Sequence, residues 1–271
     1  MVQTPRIVLG QIGLSFHIAA AAVVAELLER DGIVVEIRQG SHEQIYELLA
    51  SEHVDLVCSA WLPGSHGIYI DPIADKLEKL AVLYEPYAIW GVPDFLPQDI
   101  RSVEDLRKPD VADLMVKRIQ GIGPGAGISR FSREIVERYR LGDLGYHFEN
   151  GTPEQCTGAF EQAVRDQRGV VVPLWHPQFL HHSYSIRELD EPFGLLRGRD
   201  QATLIIRKSA LSTLPHETVR WLRRISLGNT QVAALDHLTS VEKVFPPDAA
   251  RQWLEWNSQT ARGWRFGAQQ L

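Results

Sequence analysis

The first sixty residues alternate short apolar runs with helical stretches, and this alternation limits the chain to a narrow class of folds. Apolar runs predict strands at residues 6–9, 33–38 and 54–60, and the stretches between them predict helices at residues 17–30 and 41–50. This order predicts a parallel sheet with right-handed crossovers. Ligands of such sheets bind beyond the carboxyl ends of the strands, where residues 10–15 and 61–66 are expected.

The second half of the chain repeats this order. A strand is predicted at residues 118–122, the turn G-I-G-P-G-A-G-I-S at 121–129 leads into a helix, and an apolar strand at 169–174 ends in Trp175, His176 and Pro177. A later strand at 202–207 precedes further helices. We therefore predict an α/β fold of two lobes, each a mainly parallel sheet flanked by helices. Lobe I is residues 1–95 plus 200–271, lobe II is residues 96–199, two crossings form the hinge, and the ligand site is expected in the cleft.

Charge and composition exclude several classes of function. The 271 residues carry a formal net charge of −6 with a pI near 5.9, which gives no basic surface for nucleic acid. No apolar run reaches the 18 residues of a membrane span, and the first residues lack an export signal, so we expect either a mature form or a chain that is never exported. Cys58 and Cys156 are expected to be free core thiols.

Two tryptophans, Trp61 and Trp175, each close an apolar strand, one in each predicted lobe. Core packing is the ordinary explanation for a single tryptophan, but equivalent positions in both halves favour a shared role. Two indole faces suit a cation that cannot donate hydrogen bonds, such as a quaternary ammonium, because each ring contributes about 0.5 to 2 kcal/mol of cation–π attraction.

Glycine-rich turns and one histidine could bind the opposite charge. The turn at 121–129 places backbone N–H groups ahead of a helix, a geometry that binds carboxylates, and Gly10, Gly13 and Leu14 form a second such turn. His66, five residues after Trp61, could donate to the same carboxylate, although a surface histidine is an equal alternative.

The sequence offers little for metal binding or catalysis. His176, His181 and His182 follow Trp175, but they lack the cysteine or acidic companions of a zinc site. No nucleophile elbow, metalloprotease helix or redox cysteine pair occurs, so we expect no enzyme, no cofactor and no metal.

Four stretches together resemble the substrate-binding proteins of glycine betaine and related osmoprotectant ABC importers, over residues 5–265. They are S-A-W-L-P-G-S-H-G-I-Y at 59–69, S-V-E-D-L at 102–106, G-I-G-P-G-A-G-I at 121–128, and L-W-H-P-Q-F with the later I-R-E-L-D-E-P-F-G within 174–194. The resemblance implies a type II periplasmic-binding-protein fold that closes on a quaternary ammonium zwitterion, delivers it to a permease with its ATPase, and works outside the cytoplasm.

The resemblance also implies roles for individual residues. Trp61 and Trp175 match tryptophans of an aromatic box around the ammonium, and His66 matches a histidine on the carboxylate side. Backbone contacts are implied for two pairs of residues, Gly127 with Ile128 and Gly13 with Leu14.

This chain departs from the family pattern at two places. Some relatives have a third box tryptophan in the glycine turn, where this sequence has Ala126, so we expect another aromatic to complete the box; the candidates are Tyr87, Trp90, Phe16 and Tyr184. The motif W-H-P-Q-F replaces the usual proline, histidine and second aromatic, which makes His176, His181 or His182 a candidate polar contact.

Two other function classes remain open from the sequence. One is a cytoplasmic sensor on the same fold, which the missing export signal favours. The other is an enzyme acting on a small amine or acid, with His66 or His176 as its titratable group. The residues do not distinguish glycine betaine from choline, carnitine or another small zwitterion.

Overall fold

The structure, a computed structural model, describes residues 4–267 apart from the side chain of His182. The chain forms two compact units. Unit 1 runs to Pro86 and resumes at Asp200, and unit 2 is Tyr87–Arg199. The units differ from the predicted lobes in that residues 87–95 belong to unit 2, because the strand Tyr87–Pro93 pairs with two other strands of that unit.

The first segment of unit 1 follows the predicted alternation. Its elements are β1 (Arg6–Ile12), α1 (Ser15–Arg30), β2 (Val34–Gly40), α2 (His42–Ala50), β3 (Leu56–Leu62), α3 (Gly67–Ile70), a 3-10 helix (Asp71–Lys76) and β4 (Leu77–Tyr84). Strand β1 continues past the predicted end at residue 9, so Gly10 lies in the strand and not in a turn. A Cβ atom on Gly10 would lie 2.9 Å from Cγ1 of Val54, so a glycine is needed here for close packing.

Unit 2 consists of shorter elements. They are β5 (Tyr87–Pro93), a 3-10 helix (Val103–Arg107), α4 (Pro109–Leu114), β6 (Arg118–Gln120), α5 (Gly127–Arg138), a 3-10 helix (Leu141–Leu144), β7 (His147–Glu149), α6 (Pro153–Arg165), β8 (Val172–His176), α7 (Leu180–Ser183) and β9 (Ile186–Glu188). Ser102 caps the first of these 3-10 helices, because its hydroxyl accepts from the Glu104 N–H (3.3 Å).

The chain then returns to unit 1. The elements of this segment are β10 (Gln201–Arg207), α8 (Lys208–Leu211), α9 (His216–Leu222), α10 (Asn229–Ser240), α11 (Pro246–Trp256) and α12 (Ser258–Phe266). Helices α10 and α11 pack on α1.

The predicted α/β fold is present, and antiparallel strand pairs accompany the parallel ones in both units. In unit 1 the strand order is β2-β1-β3-β10-β4; β1 is parallel to β2 and β3, but β10 is antiparallel to both of its neighbours. In unit 2, β5 lies antiparallel between β8 and β9, and β6 pairs parallel with β7. The local apolar pattern of β10 could not show its direction, because direction depends on where the returning chain enters the sheet.

Among the described residues, no helix is both long and apolar enough to cross a lipid bilayer. Cys58 and Cys156 are buried free thiols, as predicted. Burial raises the pKa of both thiols, which makes them poor nucleophiles.

Candidate ligand-binding site

The turn after β3 holds Trp61 and His66 together. Trp61 is 7% exposed near the end of the strand, and His66, at the N-cap of α3, is 1% exposed. The His66 N–H donates to the Trp61 carbonyl (2.8 Å), and the Trp61 N–H donates to Nδ1 of His66 (2.9 Å). These hydrogen bonds close the turn on itself and fix the imidazole against the strand end.

The same contacts determine which imidazole nitrogen can donate. A backbone N–H can only donate, so Nδ1 of His66 is an acceptor and the ring proton lies on Nε2. The Tyr46 hydroxyl lies 2.8 Å from the same Nδ1, and burial, with neighbouring Tyr69, raises the Tyr46 pKa well above its ordinary value. His66 therefore has an Nε2–H donor, which is the kind of group that recognises a carboxylate.

The indole of Trp61 is oriented by a tyrosine two strands away. Ala202 of β10 is the register partner of Trp61 on one side and of Tyr84 on the other. Because register partners share one face of a sheet, the small Ala202 lets the indole Nε1 reach over and donate to the Tyr84 hydroxyl (3.1 Å). The Tyr84 hydroxyl also lies 3.1 Å from Oγ of Ser59.

Two residues of α1 form the rest of the surroundings of this indole. The ring centroids of Phe16 and His17 lie 5.2 Å and 5.6 Å from that of Trp61. Burial, assisted by the charge of His42, lowers the pKa of His17 well below its ordinary value. Near neutral pH His17 is therefore uncharged and does not oppose a cation at the indole.

The backbone donors predicted at Gly13 and Leu14 are engaged within unit 1. The Gly13 N–H donates to the Gly40 carbonyl (2.9 Å), and the Leu14 N–H donates to the Ile12 carbonyl (2.7 Å). Leu14 is the N-cap of α1. Their role in ligand binding stays a prediction, and any direct contact from these amides would require them to leave these carbonyls.

In unit 2, Trp175 lies in β8 and is 4% exposed. Its register partner across the strand pair is Ala88 of β5, so this tryptophan, like Trp61, stands beside an alanine on an antiparallel neighbour. His181 Nε2 lies 3.1 Å from the Trp175 carbonyl, a distance that fits donation from the imidazole. The strand end that carries Trp175 is therefore tied to α7.

His176 and Tyr87 contact each other across β8 and β5. Their rings stack with centroids 4.7 Å apart, and the His176 ring also stacks on His181 at 3.6 Å. His176 Nε2 lies 3.1 Å from Oε1 of Glu188, and this hydrogen bond lowers the Glu188 pKa. The Arg199 guanidinium lies 4.4 Å from the centroid of the Tyr87 ring. Both candidates thus take part in one polar and aromatic cluster of unit 2.

The glycine-rich turn of unit 2 leads into α5 as predicted. Gly127, Ile128 and Ser129 are the first helical residues, so their N–H groups have no carbonyl partner within the helix. The side-chain hydroxyl of Ser129 donates to the Ile122 carbonyl (3.0 Å), and this hydrogen bond fixes the turn. The N–H groups of Gly127 and Ile128 can therefore serve an anion.

The prediction that Trp90 could form the third aromatic wall is wrong. Its side chain is fully buried in the unit 2 core, and its Nε1 donates to Oγ of Ser132 (2.9 Å). The sequence could not show this, because a β5 residue can face the core or the surface according to the strand register. Ala126, 2% exposed, is the N-cap of α5, and Tyr184 packs edge-on against Phe160.

The structure adds residues that the sequence reasoning missed. They are Tyr84 and Tyr46, which hold Trp61 and His66, and Asp200, whose carboxylate contacts the turn between them. No local signal marks them, since they lie up to 139 positions from Trp61. Strand pairing brings Tyr84 and Asp200 close, and the packing of α2 brings Tyr46 close. Within the described part of the chain, no group of three or more histidine, cysteine or acidic side chains is arranged to hold a metal ion.

The chain is similar to known binding proteins of bacterial importers. A glycine betaine/carnitine transport binding protein, GbuC of Listeria monocytogenes, is 22% identical over 169 residues, which cover 60% of this chain and 54% of that protein. Lactococcal OpuAC in its closed, liganded conformation with glycine betaine superposes with a TM-score of 0.85 at 21% identity, covering 96% of this chain and 99% of that one. A choline-binding protein of an ABC transporter, in complex with choline, gives 0.83 at 18% identity over 96% and 91%.

The solved structures confirm the predicted type II periplasmic-binding-protein fold, with sheets flanked by helices. The model of one protein family, described as the substrate binding domain of ABC-type glycine betaine transport systems, matches residues 5–255 of this chain. That match covers nearly the whole chain, and so the protein belongs to this family of importer substrate-binding domains.

Proposed function

We propose that this protein captures a small quaternary ammonium zwitterion of the glycine betaine type and delivers it to an ABC importer. The observation that carries the proposal is the pairing of Trp61 and His66 in one closed turn of unit 1. An indole face suits the trimethylammonium group, and the Nε2–H of His66 suits the carboxylate. One short turn therefore offers both chemistries that a betaine requires.

Unit 2 supplies the corresponding groups in this proposal. Trp175 gives a second indole to the cation, and the Gly127 and Ile128 N–H groups at the start of α5 give donors to the carboxylate. Phe16, which lies against Trp61, supports the cation side in the absence of a tryptophan at position 126. Tyr87 and His176 lie beside Trp175 and make the surroundings of its indole more polar.

A panel of three ligands tests this proposal by titration calorimetry. Glycine betaine has both charges, choline lacks the carboxylate, and 3,3-dimethylbutanoate keeps the carboxylate and the shape but lacks the positive charge. We expect glycine betaine to bind most tightly, with both analogues weaker by at least about tenfold, since each loses one charged contact. The proposal is wrong if no quaternary ammonium compound gives either binding heat or a raised melting temperature.

We also propose that the ligand leaves the protein chemically unchanged. The family is a transport family, and the ligand-binding candidates predicted from the sequence include no serine, threonine or cysteine that could act as a nucleophile. Mass spectrometry of the ligand after prolonged incubation with the protein should return only the starting compound. Any product that depends on the protein would instead favour an enzyme.

Delivery to a permease implies that the protein acts outside the cytoplasmic membrane, and we include this location in the proposal. Fractionation of cells producing the native gene product would test it. Recovery in the extracytoplasmic fraction is expected, whereas exclusive recovery in the cytoplasm would favour a ligand sensor on the same fold.

A further inference from the structure

The carboxylate of Asp200 accepts two hydrogen bonds from the turn that joins Trp61 to His66. Its Oδ1 accepts from the Gly64 N–H (2.7 Å), and its Oδ2 accepts from the Ser65 N–H (3.0 Å). Asp200 is only 5% exposed. A buried carboxylate held by two backbone donors is a strong and directional contact, because hydrogen bonds to a charged group are stronger than those between neutral groups.

Strand register explains why this aspartate reaches that turn. Gln201 pairs with Leu62 and Ala202 pairs with Trp61, so Asp200 lies just beyond the end of β3, opposite the start of the turn. The Asp200 N–H also donates to the Pro86 carbonyl (2.7 Å). The chain leaves unit 1 at Pro86 and re-enters it at Asp200. Asp200 therefore contacts both the turn and the last residue before the chain leaves unit 1.

Other hydrogen bonds also close this turn, among them one from the Gly67 N–H to the Pro63 carbonyl (3.2 Å). Helix α3, which follows it, has only four residues, and the turn is crossed by the hydrogen bonds between Trp61 and His66 described above. The carboxylate contacts lie between these two residues in the chain. A change in the positions of Gly64 and Ser65 would therefore move the His66 imidazole relative to the Trp61 indole.

We propose that Asp200 is a positioning residue of the ligand site, which acts by fixing the backbone of residues 64 and 65 and thereby the placement of His66. This inference rests on the proposed function, in which His66 donates to the ligand carboxylate. In this proposal Asp200 affects ligand affinity through its contact with the turn and makes no contact with the ligand.

Asp200→Asn is the variant that tests this inference. The asparagine keeps the size and one acceptor oxygen, but it turns an NH₂ group toward one of the two backbone donors. We expect a dissociation constant for glycine betaine raised at least about tenfold, since a charged hydrogen bond is lost. In combination with His66→Ala, the penalty should not add, because both variants disable the same contact.

Asp55→Asn is the matched control. Asp55 is also a unit 1 carboxylate that accepts a backbone N–H, from Val8 (2.8 Å), but it precedes β3 and so lies at the opposite end of that strand from Trp61. We expect this variant to melt at a lower temperature and to bind glycine betaine with the dissociation constant of the wild type. That contrast separates positioning from general stability.

A measurement without ligand keeps the two proposals distinguishable. Amide hydrogen exchange of Gly64 and Ser65 should accelerate at least about tenfold in Asp200→Asn and remain unchanged in Asp55→Asn. A wild-type protein that binds no quaternary ammonium compound contradicts the proposed function alone. Unchanged exchange at both amides, unchanged affinity, or fully additive penalties with His66→Ala would overturn the role of Asp200.

Discussion

The backbone N–H of Trp61 donates to Nδ1 of His66, while the backbone N–H of His66 donates to the carbonyl of Trp61. The pair thus fixes both the position and the tautomer of the imidazole from within a single turn. The residue proposed for the cation and the residue proposed for the anion are therefore placed by the same two hydrogen bonds.

His66→Ala should weaken glycine betaine binding more than choline binding. The variant removes the proposed donor to the carboxylate, which choline lacks, and we expect a loss of roughly 1.5 to 3 kcal/mol for the betaine. Calorimetry with both ligands measures the difference. His53→Ala, at an exposed histidine, is the control, and equal losses for the two ligands would contradict the role of His66.

Trp61→Ala and Trp175→Ala should each lose roughly 1 to 3 kcal/mol of binding free energy for a quaternary ammonium ligand, through lost cation–π contact and burial. Trp256→Ala is the matched control, because Trp256 is 67% exposed in α11. The double variant tests whether both indoles contact one ligand. Unchanged affinity in both single variants would disprove the aromatic site.

Tyr84→Phe should weaken binding without any direct loss of a ligand contact. The phenylalanine keeps the ring but removes the acceptor for Nε1 of Trp61, so the indole loses its fixed orientation. We expect a loss of about 1 kcal/mol in binding free energy. Tyr139→Phe is the control, because Tyr139 lies in unit 2, away from Trp61 in the chain, and its hydroxyl donates a hydrogen bond to Glu191. An effect no larger than that of the control would exclude this role.

Trp90→Ala should destabilise the fold and leave the chemistry of binding intact. The side chain is 0% exposed in the unit 2 core, and such truncations cost roughly 3 to 5 kcal/mol. Chemical denaturation measures this loss. Calorimetry under conditions where the variant is folded should give the wild-type dissociation constant, whereas a selective loss of affinity would restore Trp90 as a ligand contact.

Acid should destabilise unit 2 through His181. Burial, followed by the neighbouring charge of His176, lowers its pKa from 6.5 to about 4 in the folded protein. The unfolded chain therefore binds more protons between these values, so the free energy of unfolding falls as the pH drops from about 6.5 towards 4. The decrease is at most roughly 3 kcal/mol.

Thermal melts from pH 7.5 to pH 4.5 measure this slope. The depressed pKa of Glu188 acts in the same direction, because its stabilising charge is lost as acid protonates it, but only below its ordinary value of 4.5. His181→Gln removes the titrating group and keeps a donor for the Trp175 carbonyl, so its melting temperature should depend less on pH above 5. A slope equal to that of the wild type would show that His181 does not titrate in this way.

Local sequence pattern was enough to predict the secondary structure around the candidate site. Three local patterns predict a strand end or a helix start: the apolar run before Trp61, the apolar run before Trp175 and the glycine turn before α5. They are visible in the sequence because burial and backbone freedom act on neighbouring residues. Three of the four stretches that carry the family resemblance include or adjoin these elements, and the match over residues 5–255 agrees with the resemblance.

Strand pairing decided the rest, and no local pattern encodes it. The direction of β10 made the unit 1 sheet mixed, and its register set Ala202 between Trp61 and Tyr84 and brought Asp200 to the turn at 64–65. Register likewise buried Trp90 in the core. The sequence by itself determined which residues end the strands, whereas only the tertiary structure decided which distant side chains hold them, because such contacts depend on the direction and register of strands far apart in the chain.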